Sequence, residues 1–339
     1  MDPISQGAIG AVAAGCLANP EKERPVRLAL LAGWGAGMLA DADVFIHSED
    51  DPLLVIEYHR HFTHSLAFIP IGGLICALLW WLVFRRNRKF RTLALFSLAG
   101  YATCGLLDAC TSYGTQLFWP FSDTRVAWHV ISIIDPIFTV TILVLLVIGW
   151  AKRSVRLPRA AAIFAIAYLG FGAVQFQRAE SLQTALIAER NHSESASMEN
   201  VKPSIGNLFL WRSVYRVDDR FYADAIRVGL FSKPQIFEGD SVPALDLADL
   251  KAGLPADSTL SRDLERFAHF SADYLARYPD QPDVVGDFRY AMIPNSVMPL
   301  WGIRIDRSRP DRHVSFENFR ENSDNDRNRL FRMLFRGEE

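Results

Sequence analysis

Apolar and polar stretches alternate regularly in the first half of the chain. Six apolar runs occur, at residues 4–18, 28–46, 66–84, 92–107, 131–150 and 160–176. A transmembrane helix needs about 20 mainly apolar residues, and the run at 66–84 is the clearest span. In the first and shortest run, Gly7, Gly10 and Gly15 are spaced for close helix packing. The pattern predicts an α-helical polytopic membrane domain of about 5–6 transmembrane helices over residues 1–178.

The second half of the chain has a different pattern, with more charge and shorter apolar segments. Residues 179–200 are typical of a polar helix that runs into a Ser/Glu/Asn linker. The elements predicted beyond it are a hairpin at 208–215 and 221–228, a helix at 260–277, and strands at 284–292 and 300–305. Together they predict a small α+β soluble domain over residues 201–339, with a highly charged tail.

Basic residues of the first half gather in alternate connections. Segments 19–27, 85–91 and 151–159 carry three, five and four Lys or Arg residues, whereas 47–65 and 109–130 carry only Arg60 and Arg125. Since cytoplasmic loops are enriched in Lys and Arg, we expect the N-terminus and the C-terminal domain to lie outside the cytoplasm. The net charge of the whole chain is only −2, so nothing in it indicates a nucleic-acid partner.

A polar stretch lies at the entrance to the run at 66–84. It reads His59-Arg60-His61-Phe62-Thr63-His64-Ser65. Titratable side chains at the mouth of a membrane helix are costly and usually functional. The predicted topology brings the acidic residues of the other runs to the same outer face, because each lies at an outer helix end. These residues are Asp41, Asp43, Asp108 and Asp135.

Imidazoles and carboxylates are the usual ligands of zinc and similar divalent ions, and a catalytic ion needs about three protein ligands. The sequence therefore predicts a divalent metal site, with zinc as the favoured ion. The candidate ligands are Asp41, Asp43, His59, His64 and Asp108. The candidate catalytic residues are Arg60, Asp43 and His64. In such a site Arg60 would neutralise developing charge, and a carboxylate that is not bound to the metal would act as general base.

Each candidate residue also has a simpler interpretation. His59 and His64 are also consistent with a polar interfacial cluster that only anchors the helix. Arg60 is also consistent with a side chain that faces lipid headgroups. The carboxylates of Asp41 and Asp43 suit an exposed loop just beyond a helix end, and that of Asp108 suits a satisfied helix end. Asp135 precedes a proline and is equally suited to a helix N-cap and to the site.

The motifs around these residues occur in a defined order. Asp41-x-Asp43 comes before the stretch from His59 to Ser65; Leu107-Asp108-Ala109-Cys110-Thr111-Ser112-Tyr113-Gly114-Thr115 and Asp135-Pro136 come after it. Over about residues 1–150 this order resembles the bacterial membrane-bound metal-dependent hydrolase family, also described as LexA-binding, inner-membrane-associated hydrolases. The resemblance implies a multi-pass protein of the bacterial inner membrane. Through a distant similarity to zinc-dependent phospholipase C and S1/P1-type nucleases, it also implies phosphoester chemistry.

The chain departs from the family pattern at two places. Shorter relatives tend to have Thr-His near the N-terminus, where this chain has Ser5-Gln6, and Thr-His again where it has Thr103-Cys104. Glutamine is a poor metal ligand, whereas a cysteine thiolate binds zinc well. Both departures bear on whether a multi-metal site is complete.

Two functions from different classes are consistent with this pattern. The leading hypothesis is a metal-dependent hydrolase that acts on a phosphoester or other ester, with a lipid-linked substrate suggested by a site at bilayer-surface depth. The alternative is a non-catalytic, membrane-anchored binding or structural protein of the envelope. A transporter is less well supported, since the polar cluster lies at the rim rather than in the middle of the bilayer.

Overall fold

The structure, a computed structural model, describes residues 1–22, 24–84, 89–279, 281–319 and 324–338. These residues form two compact units. The first contains residues 1–46, 58–174 and 205–207, and the second contains 47–57, 175–204 and 208–339. Four residues of the basic connection predicted at 85–91, residues 85–88, lie outside the described residues.

The first unit is helical. Its helices are α1 (Pro3–Cys16), α2 (Val26–Leu39), α4 (Ile69–Phe84), α5 (Phe90–Ala109), α6 (Pro136–Lys152) and the first part of α7 (Arg156–Glu189). The short helix α3 (Leu54–Tyr58) ends at its boundary. Four 3₁₀ turns connect these helices, at Pro20–Lys22, Ala40–Phe45, Phe62–His64 and Leu66–Phe68.

Four helical segments of the described chain are long and apolar enough to cross a membrane. They are Val26–Phe45, Leu66–Phe84, Phe90–Ala109 and Arg156–Glu189. Helices α1 and α6 have 14 and 17 residues. At about 1.5 Å per residue, α1 falls short of a hydrocarbon core about 30 Å thick. The structure confirms the predicted class, a helical multi-pass membrane unit followed by an α+β unit.

Helices α1, α2 and α5 pack with their backbones in contact. A Cβ atom built on Gly10 would lie 2.4 Å from the Gly33 carbonyl oxygen, and one on Gly100 would lie 2.6 Å from the same oxygen. A Cβ on Gly37 would lie 2.4 Å from the Gln6 carbonyl oxygen. Since no side chain fits at these distances, glycine is required at each crossing. The close approach expected from the glycines of the first run is therefore present at Gly10.

The second unit contains two antiparallel sheets. The first sheet has strands β1 (Ala196–Pro203), β2 (Leu210–Val217), β3 (Arg220–Arg227) and β4 (Gln235–Phe237) in this order, with β5 (Ser241–Pro243) paired to β3. The second has β6 (Leu275–Tyr278), β7 (Gln281–Asp287), β8 (Trp301–Arg304) and β9 (Ser315–Asn318), also in order. Helices α8 (Leu247–Lys251), α9 (Thr259–Ser271) and α10 (Asp324–Phe331) accompany them.

The predicted elements of this unit differ from the observed ones at three places, one of them the strand predicted at 284–292, which is observed as β7 and ends at Asp287. The hairpin is confirmed, because β2 and β3 pair antiparallel over their full lengths. The expected linker instead contains β1, whose residues find a partner strand in β2. The helix predicted at 260–277 ends at Ser271, because Ala272 adopts a left-handed conformation (φ 49°) and the chain then enters β6. The spacing of nearby residues shows neither the partner strand of β1 nor the left-handed residue that ends the helix.

A lysine lies in the core of the second unit. Lys202 on β1 is 4% exposed, and its Nζ has no hydrogen-bond partner in the part of the chain that the structure describes. The ring of Tyr290 lies against the amino group, with its centroid 3.7 Å from Nζ. Burial, and next the nearby charge of Arg289, hold the pKa of Lys202 well below its ordinary value. The unfolded chain therefore binds a proton at Lys202 that the folded unit binds less readily.

We predict that Lys202→Met stabilises the second unit by about 1–3 kcal/mol at neutral pH, because it removes a buried donor without a partner. In the native chain, stability should rise with pH between the lowered folded-state pKa of Lys202 and about pH 10, since unfolding takes up a proton at Lys202 within this window. The variant should lose this part of the pH dependence. Thermal unfolding of the purified full chain across pH measures both effects. Lys233→Met, at an exposed position, is the control, and equal pH profiles for all three proteins would contradict the prediction.

We predict that Gly105→Ala destabilises the first unit. A Cβ at this position on α5 would lie 1.9 Å from the carbonyl oxygen of His64, and a forced fit of this kind typically costs about 1–3 kcal/mol. Gly170→Ala on α7 is the matched control, because its added methyl group meets no atom within 4 Å in the described structure. A lower thermal midpoint in detergent is expected for Gly105→Ala alone. Equal midpoints would contradict the close approach of helix α5 to the His64 carbonyl oxygen.

Candidate metal centre

Three candidate ligands from separate segments meet inside the first unit. Asp41 lies in the 3₁₀ turn after α2, His64 in the turn before α4, and Asp108 in the last turn of α5. All three are buried, and one ligand atom from each lies within 4.8 Å of the others. His64 Nε2 is 3.3 Å from Asp41 Oδ1 and 3.1 Å from Asp108 Oδ2. One nitrogen and two carboxylate oxygens therefore converge on one point.

Local structure brings each of these side chains to the same end of the helices. Helix α2 ends at Leu39, and the tighter turn that follows carries Asp41 and Asp43. The two residues therefore lie where the helix unwinds, and both are buried rather than placed in an exposed loop. The His64 turn is held by Tyr101, whose hydroxyl donates to the Thr63 carbonyl at 2.8 Å. The turn meets α5 at Gly105, which has no side chain to keep it away.

A fourth residue, Gln6 on α1, reaches the same point. Its Nε2 donates to Asp41 Oδ1 at 3.1 Å and to Asp108 Oδ2 at 3.0 Å. Among the described residues, its Oε1 has no hydrogen-bond partner, and neither do Asp41 Oδ2 and His64 Nε2. A half-turn of the Gln6 amide would present Oε1 in place of Nε2. Orphaned buried acceptors beside a histidine nitrogen are what a cation site provides, so these residues fit a divalent metal ion.

Asp43 occupies a position behind His64. Its carboxylate accepts from the backbone N–H of Arg60 at 2.8 Å and from the Thr63 hydroxyl at 3.0 Å. It also lies 3.3 Å from His64 Nδ1 and 3.1 Å from His59 Nδ1. A carboxylate on Nδ1 orients the ring and leaves Nε2 for a ligand. Asp43 and His59 are therefore neighbours of the three-residue group rather than members of it.

Arg60 is buried in the site and does not face solvent or headgroups. It is 3% exposed, and its Nε forms an ion pair with Asp108 Oδ2 at 3.1 Å. Its Nη1 donates to the Thr111 hydroxyl at 2.8 Å, and the guanidinium lies 5.0 Å from the centre of the Tyr113 ring. These contacts hold the positive charge at the edge of the carboxylate group.

The charge balance of the site favours a cation. Three carboxylates, from Asp41, Asp43 and Asp108, surround His64, and Arg60 balances one of them. The amino group of Met1 also contacts Asp108. Burial by itself lowers the pKa of His64, but the close carboxylates of Asp108, Asp41 and Asp43 outweigh burial and raise the pKa above its ordinary value. A positive charge at the position of His64 is therefore strongly stabilised.

The remaining residues considered in the sequence have other contacts. Asp135 caps α6 by accepting from the Phe138 N–H at 3.1 Å, and it also accepts from the Tyr168 hydroxyl at 2.8 Å. Of its two interpretations, the structure supports the cap. The Cys104 thiol donates to the Gly37 carbonyl at 3.2 Å. Cys104 therefore faces the backbone of α2 and is not among the converging ligand atoms.

A second group of ligand-type side chains occurs in the second unit. Asp51, Asp263 and His313 have ligand atoms within 4.8 Å of one another. The guanidinium of Arg266 lies 3.0 Å from both Asp51 and Asp263, and it also pairs with Glu57. A cation therefore already neutralises these carboxylates, and the group is best described as an ion-pair network.

Comparisons with known proteins place this geometry in a family context. A model of the YdjM inner membrane protein family matches residues 1–179. Inner membrane protein YbcI of Escherichia coli (strain K12) is 36% identical over 117 residues, which are 32% of this chain and 64% of YbcI. Uncharacterized protein YfhP of Bacillus subtilis (strain 168) is 29% identical over 136 residues, 40% of each chain. No solved structure matches the chain.

The family match covers more than half of the chain and includes Asp41, His64 and Asp108. It supports the expectation of a multi-pass protein of the bacterial inner membrane. Metal binding and hydrolysis stay predictions, since the names of the family and of these relatives indicate neither. The chain belongs to the YdjM inner membrane protein family.

Proposed function

We propose that the membrane unit binds a divalent metal ion, with zinc as the favoured ion, through Asp41, His64 and Asp108, and hydrolyses a phosphoester or other ester at the outer face of the inner membrane. The observation that carries this proposal is the convergence of three buried ligand atoms within 4.8 Å. Three protein ligands of the imidazole and carboxylate type are typical of catalytic zinc sites, which keep one position for water or substrate. When bound, such an ion makes its water acidic and polarises the scissile bond.

The neighbouring residues have distinct roles in this proposal. Asp43 already binds the Arg60 N–H and the Thr63 hydroxyl and faces both His59 and His64. We therefore assign it to the orientation of His64 and not to proton transfer. Arg60 is held beside Asp108 by Thr111 and Tyr113, where its guanidinium can bind an anionic group of the substrate. Gln6 positions Asp41 and Asp108 from α1.

Aromatic side chains around the site favour an amphiphilic or lipid-linked substrate. Phe45 follows Asp43 in the same turn and is 78% exposed, while Phe118 and Phe121 are 50% and 90% exposed. Trp119 packs on Phe62, with ring centroids 6.0 Å apart. Aromatic residues concentrate where a protein meets the membrane–water interface. A substrate with an acyl or isoprenoid chain would therefore reach the site from the bilayer.

A non-catalytic role is the second candidate. Asp108 already has the Arg60 guanidinium and the Gln6 amide as partners, so the cluster is partly neutralised by the protein itself. In that case it would be a structural polar centre at the helix ends. The membrane unit would then serve to anchor the second unit in the envelope.

Substitution of a ligand should remove the metal. We predict that His64→Ala and Asp41→Asn lower the zinc content of the detergent-purified full chain to background. Asp43→Asn removes only a positioning carboxylate, so it should weaken zinc affinity by about 10–100-fold. Elemental analysis and zinc titration measure these effects, and hydrolysis of a phosphodiester panel reports activity. His269→Ala, at an exposed position of the second unit, is the control.

Three results separate the candidate functions. Zinc in the native chain with hydrolysis that the His64→Ala variant lacks would support the enzyme. A native chain that holds zinc without any hydrolysis would favour the structural centre. A folded native chain that binds no divalent ion in titration would refute the metal-dependent hydrolase and leave the structural polar centre.

The orientation inferred from the basic connections is also testable. We predict that Ala256→Cys, exposed in the second unit, reacts with a membrane-impermeant maleimide in intact spheroplasts. Lys152→Cys, exposed at the end of α6, should react only after lysis, because the basic connection 151–159 is expected in the cytoplasm. The native cysteines are buried or half-buried, and the parent chain gives their background. If only Lys152→Cys were labelled in intact spheroplasts, the topology would be the opposite of the one inferred.

A further inference from the structure

Two segments of the second unit expose large apolar side chains. The loop at 228–234, between β3 and β4, carries Leu230 and Phe231, which are 54% and 100% exposed. The C-terminal segment at 329–336 carries Phe331 and Phe335, which are 55% and 63% exposed. Fully exposed large aromatic side chains are unusual on a soluble surface and commonly mark a contact site when they cluster.

Hydrogen bonds join the bases of the two segments. Arg227, the last residue of β3, donates from Nε to the Leu334 carbonyl at 2.9 Å. Gln235, its partner on β4, donates from Nε2 to the Gly337 carbonyl at 3.3 Å. The loop can extend only about 10 Å from this pair, because three extended residues on each side span that distance. The loop and the C-terminal segment therefore form one corner of the unit, which we call the aromatic corner (residues 228–234 and 329–336).

The C-terminal segment has two faces. Leu330, Met333 and Leu334 pack against the core formed by Leu210, Ala225, Phe237 and Ile293. Phe331 and Phe335 lie one helical turn apart, outside this core, with ring centroids 4.5 Å apart. The C-terminal segment is thus attached to the unit by one face, and the aromatic pair on its other face contributes little to that packing.

The charge of the aromatic corner has one sign. Its cations are Lys233, Arg329, Arg332 and Arg336, and neither segment contains an acidic residue. The nearest acidic residue that follows is Glu338. Aromatic rings bordered by Lys and Arg match the headgroup region of an anionic bilayer, where rings enter the interface and cations meet phosphate groups.

We propose that the aromatic corner docks on the surface of an anionic phospholipid bilayer, with Leu230, Phe231, Phe331 and Phe335 in the interface and the four cations on lipid phosphates. Because the chain is itself inserted in a membrane, the lipid surface is present at high effective concentration, and modest contacts suffice. Neither the metal site nor the proposed hydrolysis is needed for this docking.

The test uses the full chain in nanodiscs of pure phosphatidylglycerol or pure phosphatidylcholine. An environment-sensitive fluorophore on Ser232→Cys reports contact through quenching by spin-labelled lipids, and the exposed position Ala256→Cys carries the same label as a control. We expect strong quenching at residue 232 in phosphatidylglycerol, weaker quenching in phosphatidylcholine, and less quenching at residue 256 in both.

Charge and aromatic variants then separate the contributions. Each cation near an anionic surface strengthens binding by about fivefold, so Lys233→Gln with Arg336→Gln should lower the ratio of docked to free forms by roughly 25-fold. Phe231→Ala, at a fully exposed side chain, should lower the ratio of docked to free forms without effect on folding. Arg312→Gln, an exposed cation on the connection from β8 to β9, should leave it unchanged.

Three results would overturn the proposal. One is the absence of quenching at residue 232 in phosphatidylglycerol. Another is equal quenching in both lipids that the charge variants do not change. The third is energy transfer between two labelled copies in one nanodisc without lipid quenching, which would make the aromatic corner an interface between chains.

Discussion

Burial of carboxylates at the ends of membrane helices is the constraint on which the first unit depends. An ionised aspartate in a membrane segment costs roughly 3 kcal/mol even on the mildest insertion scale, and Asp43 and Asp108 are almost fully buried. Each is tolerable only because donors from other helices reach it. Gln6, Arg60 and His64 supply those donors. The polar centre and the arrangement of the helices are therefore a single feature.

Glycine makes this arrangement sterically accessible. The backbone contacts at Gly10, Gly33 and Gly37 draw α1 against α2, and this carries the Gln6 amide to the acidic turn. Gly105 does the same for α5 and the His64 turn. A site that requires atoms within a few ångströms tolerates little displacement, because interiors are close-packed and transmit strain. The precision of the candidate site is thus set by positions that have no side chain at all.

The second unit follows a different principle. Its two sheets share an aromatic core in which Phe221 stacks on Tyr274 and Phe288, so apolar burial provides most of its stability. Against this core it retains Lys202 without a hydrogen-bond partner among the described residues, and it exposes Phe231 completely. Such departures from local consistency are expected where a surface or a buried group serves a purpose other than stability. The family match ends at residue 179, so the role of this unit has to be argued from its own residues.

Hydrophobic patterning alone determined the class of the protein. Apolar runs of about 20 residues predict membrane helices, and the partial alternation at 208–215 and 221–228 on either side of a turn predicts a hairpin. Residue chemistry likewise identified Asp41, His64 and Asp108, because polar groups at helix mouths are conspicuous in an apolar sequence. Only the tertiary structure decided which of them meet, since that depends on how helices distant in sequence cross. It separated Asp43 and His59 from the converging atoms, assigned Asp135 to a helix cap, and brought Gln6, where the sequence departs from the family pattern, to the same point. Long-range pairing also turned the expected linker into β1, because a strand is defined by its partner and not by its own residues.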